Sequence, residues 1–352
     1  MNDDGLDLED RYRRVLRLLP GYYRDRWEED MVAALLDSRM TGDEDEDYYV
    51  LVYGRPGWPE VASVAALAIR LYLGGAGTPR RYFAWGQAVR CAVLAVLLVH
   101  ATQGLADLTL LAWRRHLAGW FPALPASLAA PAPSGAWPTV MKTADYAWIV
   151  IFLALVLGHH RTARAIAALA IAAELVVLLQ AQFADILLRP LGTWSSWFLL
   201  DLAPVLAMAA FHRDAPPAAR WPWLLALPGY YLLVPVPVMV IQATGNQAWL
   251  PDSAGLGCLV VSLACLVHAP RALSRSRQAV GSGVWSLALT LLAAVAGAWR
   301  IVTLGNYVHD PHLMHVSLAE LVILLVAVAV VAPDAARAQM PAPARPPYPH
   351  PG

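Results

Sequence analysis

The stretch HVSLAELVILLVAVAVVAP, residues 315–333, carries one formal charge, Glu320, in an otherwise apolar run. A helix of about 20 such residues, rising ~1.5 Å per residue, crosses the ~30 Å hydrocarbon layer of a bilayer. Similar runs lie near 87–112, 144–159, 164–186, 192–212, 222–243, 254–269 and 282–304. The sequence therefore predicts an all-α polytopic transmembrane bundle of about eight spans. His100, Ala101, Thr102, Gln103 and Gly104 interrupt the run at 87–112. Without it there are seven spans, and the N-terminus changes sides.

Hydrophobic residues make up 58% of the chain and charged residues 15%, against the ~25% charged of a soluble domain. Residues 1–60 hold 16 of the 26 acids against 8 arginines, a net of −8. The remainder carries 10 acids and 18 basic residues, a net of +8. The net charge of zero thus hides two parts suited to different solvents. The expected organisation is an acidic helical head at 1–77, a bundle at 84–333 and a tail at 334–352. With seven prolines in the last twenty residues, the tail is expected to be disordered. The first ten residues are acidic, so no secretory signal is expected. Cys91, Cys258 and Cys265 fall inside spans and read as small buried hydrophobes, neither a disulfide framework nor a metal set.

Basic residues set the orientation. With eight spans and a cytosolic N-terminus, eleven arginines face the cytosol: Arg80, Arg81, Arg161, Arg164, Arg213, Arg220, Arg271, Arg275, Arg277, Arg337 and Arg345. Only Arg114, Arg115, Lys142 and Arg189 face outward. The positive-inside rule then puts both termini in the cytosol of a plasma-membrane protein. The first outer connection, about 114–143, is proline-rich and reads as extended.

The head reads as three helices: about Leu6–Leu19, Tyr22–Asp37, and one starting at Trp58-Pro59. The acidic run Thr41–Asp47 reads as a solvated loop. Tyr12-Arg-Arg-Val-Leu-Arg-Leu-Leu-Pro20, then Arg24, Arg26 and Trp27-Glu-Glu-Asp-Met31, resembles HAAS-type and permease-prefix modules. Tyr53-Gly54-Arg55-Pro56 followed by Glu60-Val61-Ala62 is similar to the loop and third helix of those modules. The resemblance covers residues 8–73; the insert Asp43–Asp47 departs from it. It implies a helical docking or signalling module fused to membrane helices, with a cytosolic transcriptional regulator of the PadR type as partner. The acidic surface itself points to a basic partner and away from direct contact with nucleic acid, whose phosphates it repels. The alternative is a helical anchor that serves assembly.

Ionisable groups inside apolar spans are the site candidates, because a charge in hydrocarbon is costly. Glu174 lies about ten residues from the inner end of its span and Asp201 about nine from the outer end of the next, at ~1.5 Å per residue. Antiparallel neighbours would bring both to mid-membrane depth, where two carboxylates can share a proton, relay one or bind a cation. Ala167, Ala170 and Ala181 provide a small-residue face beside Glu174. The plainer alternative is that each carboxyl bonds a neighbouring helix and holds the bundle together. Pro204, Pro228-Gly229, Pro235 and Pro237 free backbone carbonyls nearby, as binding sites or as ordinary kinks. Asp107, Asp185, Arg300 and Glu320 form a second polar set near the outer face, with Arg300–Glu320 read as an ion pair. His309, Asp310, His312 and His315, with His116 as a possible addition, form the only histidine cluster, suited to zinc or copper, to pH sensing, or to no more than a polar loop.

No phosphate-cradling glycine loop, nucleophile elbow, zinc-protease helix or kinase set occurs. The expectation is a membrane sensor or regulatory protein, not an enzyme and without a cofactor. The alternative is a small-solute transporter or permease-like subunit using Glu174 and Asp201.

Overall fold

A computed structural model describes residues 7–75, 78–117, 136–184, 192–212, 215, 219–244, 252–273, 280–307 and 310–340. Among these residues there is helix and no strand. The chain divides into two compact units, Met1–Gly86 and Gln87–Gly352.

The first unit contains α1 (Leu8–Leu16), α2 (Gly21–Arg39), α3 (Glu44–Tyr53) and α4 (Trp58–Tyr72). Its core is Leu8, Tyr12, Leu16 and Leu19 against Val32, Leu35, Val64 and Ala68. The Asp7 carboxylate accepts from the Asp10 N–H and caps α1, and Pro20 separates α1 from α2. Several residues of the quoted motifs tie these helices together. Arg13 reaches Glu9 on its own helix and Glu29 on α2, each at 2.7 Å. Arg39 of α2 reaches Glu60 of α4 at 2.7 Å. Arg11 donates to the Gly54 carbonyl at 2.6 Å.

Two expectations for this unit need correction. The acidic run is helical from Glu44 onward, giving four helices where three were expected. Asp43 caps α3 by accepting from the Asp45 N–H, and Glu44–Asp47 oppose the positive end of the helix dipole. The compact unit also extends past residue 77, into α5 (Arg80–Arg114). Tyr82 packs on Tyr22 and Tyr72, with ring centroids 5.3 and 5.7 Å apart. Gly86 lies against the Leu73 carbonyl, where no side chain fits. Gly74 makes the connecting turn at φ +77°, a region that favours glycine.

The second unit continues α5 with α6 (Ala136–Val156), α7 (His160–Ala184), α8 (Gly192–Ala207), α9 (Arg220–Leu233), α10 (Pro235–Ala243), α11 (Ser253–Leu273), α12 (Val280–Leu304) and α13 (Pro311–Gln339). Among the described residues, the apolar runs of the sequence are mainly helical, and the run at 222–243 is divided between α9 and α10. Among the described residues, five segments are long and apolar enough to cross a membrane: Arg80–Arg114, Arg220–Ala243, Ser253–Leu273, Gly283–Leu304 and Pro311–Gln339. Asp145–Val156 and Phe198–Ala210 are shorter apolar helices.

The expected interruption at His100–Gly104 does not break α5, which runs on through it. Thr102 turns its hydroxyl back to the Leu98 carbonyl at 3.0 Å, and Gly104 lets α6 approach. A Cβ at Gly104 would sit 2.9 Å from the Asp145 carbonyl.

α5–α9 share one core built on Leu94, Leu97, Ile151, Phe152, Ala167 and Met208. α11–α13 pack through Cys258, Cys265, Ala293, Ala296, Leu324 and Ala327, where small residues allow close approach. The α8 end, a 3-10 turn at Met208–Ala210, receives two arginines. Arg90 donates to Ala210, and Arg164 to Met208 and Phe211, at 2.8–3.0 Å. Cations at a helix C-terminus meet its negative dipole end. α9 and α10 are parted at Val234 (φ −121°, ψ −69°), directly before Pro235.

The tail expected to be disordered from 334 is helical as far as Gln339. Pro333 removes one intrahelical bond, yet Ala335 is 4% exposed and Asp334 bonds α12, so packing carries the helix onward. Residues 341–352 and most of the first outer connection lie outside the described residues.

Candidate functional site

Four apolar helices converge on one polar cluster. α7 brings Glu174 and α8 brings Asp201, and the two carboxyl groups lie within side-chain hydrogen-bonding reach of each other. α5 brings His100, whose Nε2 lies 3.4 Å from Asp201 Oδ1. α6 brings Asp145, close enough to act electrostatically on both carboxyls. It also brings Trp148, stacked on His100 with centroids 4.9 Å apart and planes 27° apart. Glu174 is 7% exposed; the Asp201 side chain is 18% exposed and that of His100 27%.

The hydrogen count of this cluster is informative. An ionised carboxylate only accepts, so two carboxyls this close can hydrogen-bond only by holding a proton between them. Asp145 adds a further acid, and His100 offers its ring to Asp201. The chemistry available is to hold, exchange and pass a proton, or to exchange it for a small cation. Ala167 and Ala170, 0% and 4% exposed, line α7 on the side that packs; the side chain of Ala181 lies outside the described residues.

The sequence pairing of Glu174 with Asp201 thus meets a direct contact, while His100 and Asp145 escaped notice. By sequence His100 only interrupts the run at 87–112, and Asp145 sits at the entry of a span. The available signal was spacing: Asp145 and Trp148 are three apart and share a helical face.

The second cluster joins α11, α12 and α13. Arg300 Nη2 meets Glu320 at 2.5 Å, and Nη1 meets both oxygens of Asp252 at 2.7 Å. The Tyr307 hydroxyl donates to Asp252 at 2.6 Å. Arg300 and Glu320 are 3% and 5% exposed. Asp252 was missed by sequence reasoning, although it caps α11 by accepting from the Gly255 N–H at 2.8 Å. A Cβ at Gly255 would lie 2.4 Å from the Glu320 carboxylate, so glycine makes room for the network. Asp107 lies half-buried on α5; Asp185 lies outside the described residues.

Among the described residues, the members of the histidine cluster are not brought together on a metal site. Asp310 accepts from the His312 and Leu313 N–H groups and caps α13, and His312 and His315 are exposed. His309 lies outside the described residues. Among the described residues, no group of three His, Cys, Asp or Glu side chains is placed to hold a metal ion.

No family model, curated protein or solved structure matches the chain.

Proposed function

We propose that the chain is a multi-pass plasma-membrane protein of eight spans with both termini in the cytosol, and that it works as a sensor or regulatory protein. Its responsive element is the Glu174–Asp201 pair, and its head engages a cytosolic partner. The observation that carries this reading is the close approach of the Glu174 and Asp201 carboxyl groups among four apolar helices. Such a pair changes charge when it gains or loses one proton, and a charge change between packed helices biases their arrangement. The arginine asymmetry supports the orientation. The head's motifs resemble HAAS-type modules, which makes a PadR-type regulator the first partner to test. The acidic surface of the head suits a basic partner.

A second reading, a proton-coupled small-solute transporter, is favoured by the backbone. Pro204 lies three residues from Asp201, so the Leu200 carbonyl is left without its helical partner next to that acid.

Full-length protein in vesicles separates the two. Incubated with cytosolic extract at about pH 6 and pH 8, a sensor captures a protein through its head, in a manner sensitive to salt and to pH. Glu174→Gln removes only the pH dependence. Capture without pH or salt dependence contradicts the sensor. Proton movement across the vesicle wall on adding a solute, abolished by Asp201→Asn, selects the transporter.

A further inference from the structure

α4 is apolar on two opposite sides, and the core of the head takes up one of them. Val64 and Ala68 are buried in that core, with Leu67 and Leu71 packed against it. At about 3.6 residues per turn, the opposite arc of the helix is formed by Trp58, Pro59, Ala62, Ala66 and Ile69, with Ser63 and Arg70 along one edge. All seven are exposed, Trp58 at 86% and Ile69 at 47%. No acid lies on this arc. Glu60, the one acid of α4, is on the other side of the helix and meets Arg39 of α2 at 2.7 Å. An apolar arc left in water is unfavourable, and a continuous one marks a surface that is covered in use.

The arc ends where the chain enters α5. A Cβ at Gly74 would meet the Tyr82 carbonyl and Phe83, and Gly86 lies against the Leu73 carbonyl. The C-terminal end of α4 is thereby held against the first two turns of α5, with the Tyr72 and Tyr82 rings packed between them. From Arg80 to Arg114, α5 is long and apolar enough to cross a membrane. Where α5 spans, its first turns lie at headgroup level, and α4 is tied to that level by its own end.

Charge selects what covers the arc. Residues 55–86 hold Arg55, Arg70, Arg80 and Arg81 against the single acid Glu60, whereas the other 15 acids of residues 1–60 precede residue 55. Arg70, Arg80 and Arg81 are exposed, and the Arg81 guanidinium lies 4.7 Å from the centre of the Tyr82 ring. Indole rings and arginines settle at the headgroup level of an anionic leaflet. A basic protein is attracted to the acids that precede residue 55 and meets no carboxylate on the arc.

We propose that the exposed arc of α4 is a lipid-docking surface lying in the headgroup layer of the membrane that α5 enters. Trp58, Ala62, Ala66 and Ile69 face the acyl chains, and Arg70, Arg80 and Arg81 meet lipid phosphates. The proposal rests on the reading of α5 as a span, and it gives the head a second surface, distinct from the acidic one that engages a partner.

The test is the accessibility of nitroxide labels on full-length protein whose Cys91, Cys258 and Cys265 are replaced by alanine. The protein is held one copy per nanodisc in mixed phosphatidylcholine and phosphatidylglycerol. Labels go singly at Ala62→Cys and Ala66→Cys on the arc, at Ala34→Cys on the exposed side of α2, and at Val99→Cys on α5. The two arc labels should sit about 5–10 Å into the headgroup–acyl boundary, reached by oxygen more readily than by a water-soluble nickel chelate. The Ala34 label should read as water-exposed and the Val99 label as deep in the bilayer. Ile69→Glu, an acid placed at an exposed position, should move the Ala62 label toward water and leave the Val99 label where it was. Arc labels in water with Val99 deep overturn the lipid docking and leave the span reading standing. A Val99 label in water overturns both. Shielding of the arc that appears only in discs holding two copies, or only after cytosolic extract is added, assigns it to a protein contact and overturns the proposal.

Discussion

At the residue scale, two glycines of α11 offer a sharp contrast. Gly257 has open space where a Cβ would be added, whereas Gly255 faces the Glu320 carboxylate at 2.4 Å. Gly257→Ala is expected to be neutral or to stabilise by roughly 0.5–1 kcal/mol, because alanine stiffens the unfolded chain and favours helix. Gly255→Ala should destabilise by ~1–3 kcal/mol through overpacking, displacing Glu320 from Arg300. Unfolding of the full-length protein in mixed micelles, compared across the two variants, checks both signs. Removing Glu320 is a different perturbation: Glu320→Ala leaves Arg300 buried with Asp252 alone and should cost about 3–5 kcal/mol, more than Glu320→Gln. Equal losses for the Ala and Gln variants would count against a charge-based role.

At the element scale, the head's hydrogen-bonded carboxylates predict acid sensitivity. The Arg13 guanidinium holds the Glu29 carboxyl below its ordinary range. The Thr41 backbone N–H does the same for Asp47. The Glu60 carboxyl is lowered by its own backbone N–H, then by Arg39. A depressed folded-state pKa gives stability that is present above the unfolded value, near 4 for these groups, and is lost as pH falls through the folded value. Amide protection in α1–α4, corrected for intrinsic exchange chemistry, should therefore be steady from neutrality to about pH 5 and fall below about pH 4. Arg13→Ala should remove the share owed to Glu29 and leave that of Asp47. An α1–α4 unit that loosens on raising the pH from 5 to 7, a range above the ordinary carboxylate pKa values, has the wrong sign for this account.

The same scale shows what the chain discloses by itself. Long apolar helices were legible because length and composition alone define them; five of them are long and apolar enough, among the described residues, to cross a membrane. α3 was hidden because five acids in succession read as solvated loop, although acids at a helix N-terminus are favourable when Asp43 caps it. The end of α13 was hidden because Pro333 reads as a stop, and only its packing shows that the helix continues. Within the site, Glu174 and Asp201 stood out as charges in apolar runs. His100 and Asp145 did not, because their role depends on which helix faces meet, and a linear pattern does not hold that information. Asp252 was invisible for the same reason: it lies outside the apolar runs and reaches Arg300 only through tertiary packing.

At the scale of the whole molecule, the proposed arrangement fixes the side on which each connection lies. Reporters fused at Gly75 and at the C-terminus should both read as cytosolic, and a tag inserted at Ser134 should read as external. A cytosolic tag at Ser134 is incompatible with eight spans. The central claim, that one proton is shared by two carboxyls inside the bundle, is tested most directly by infrared difference spectroscopy of the reconstituted protein during a pH change. The account predicts the carbonyl stretch of a protonated carboxyl in the wild type, altered by both Glu174→Gln and Asp201→Asn while the protein still inserts and accumulates. A spectrum without that band, or one unchanged in both variants, would contradict it.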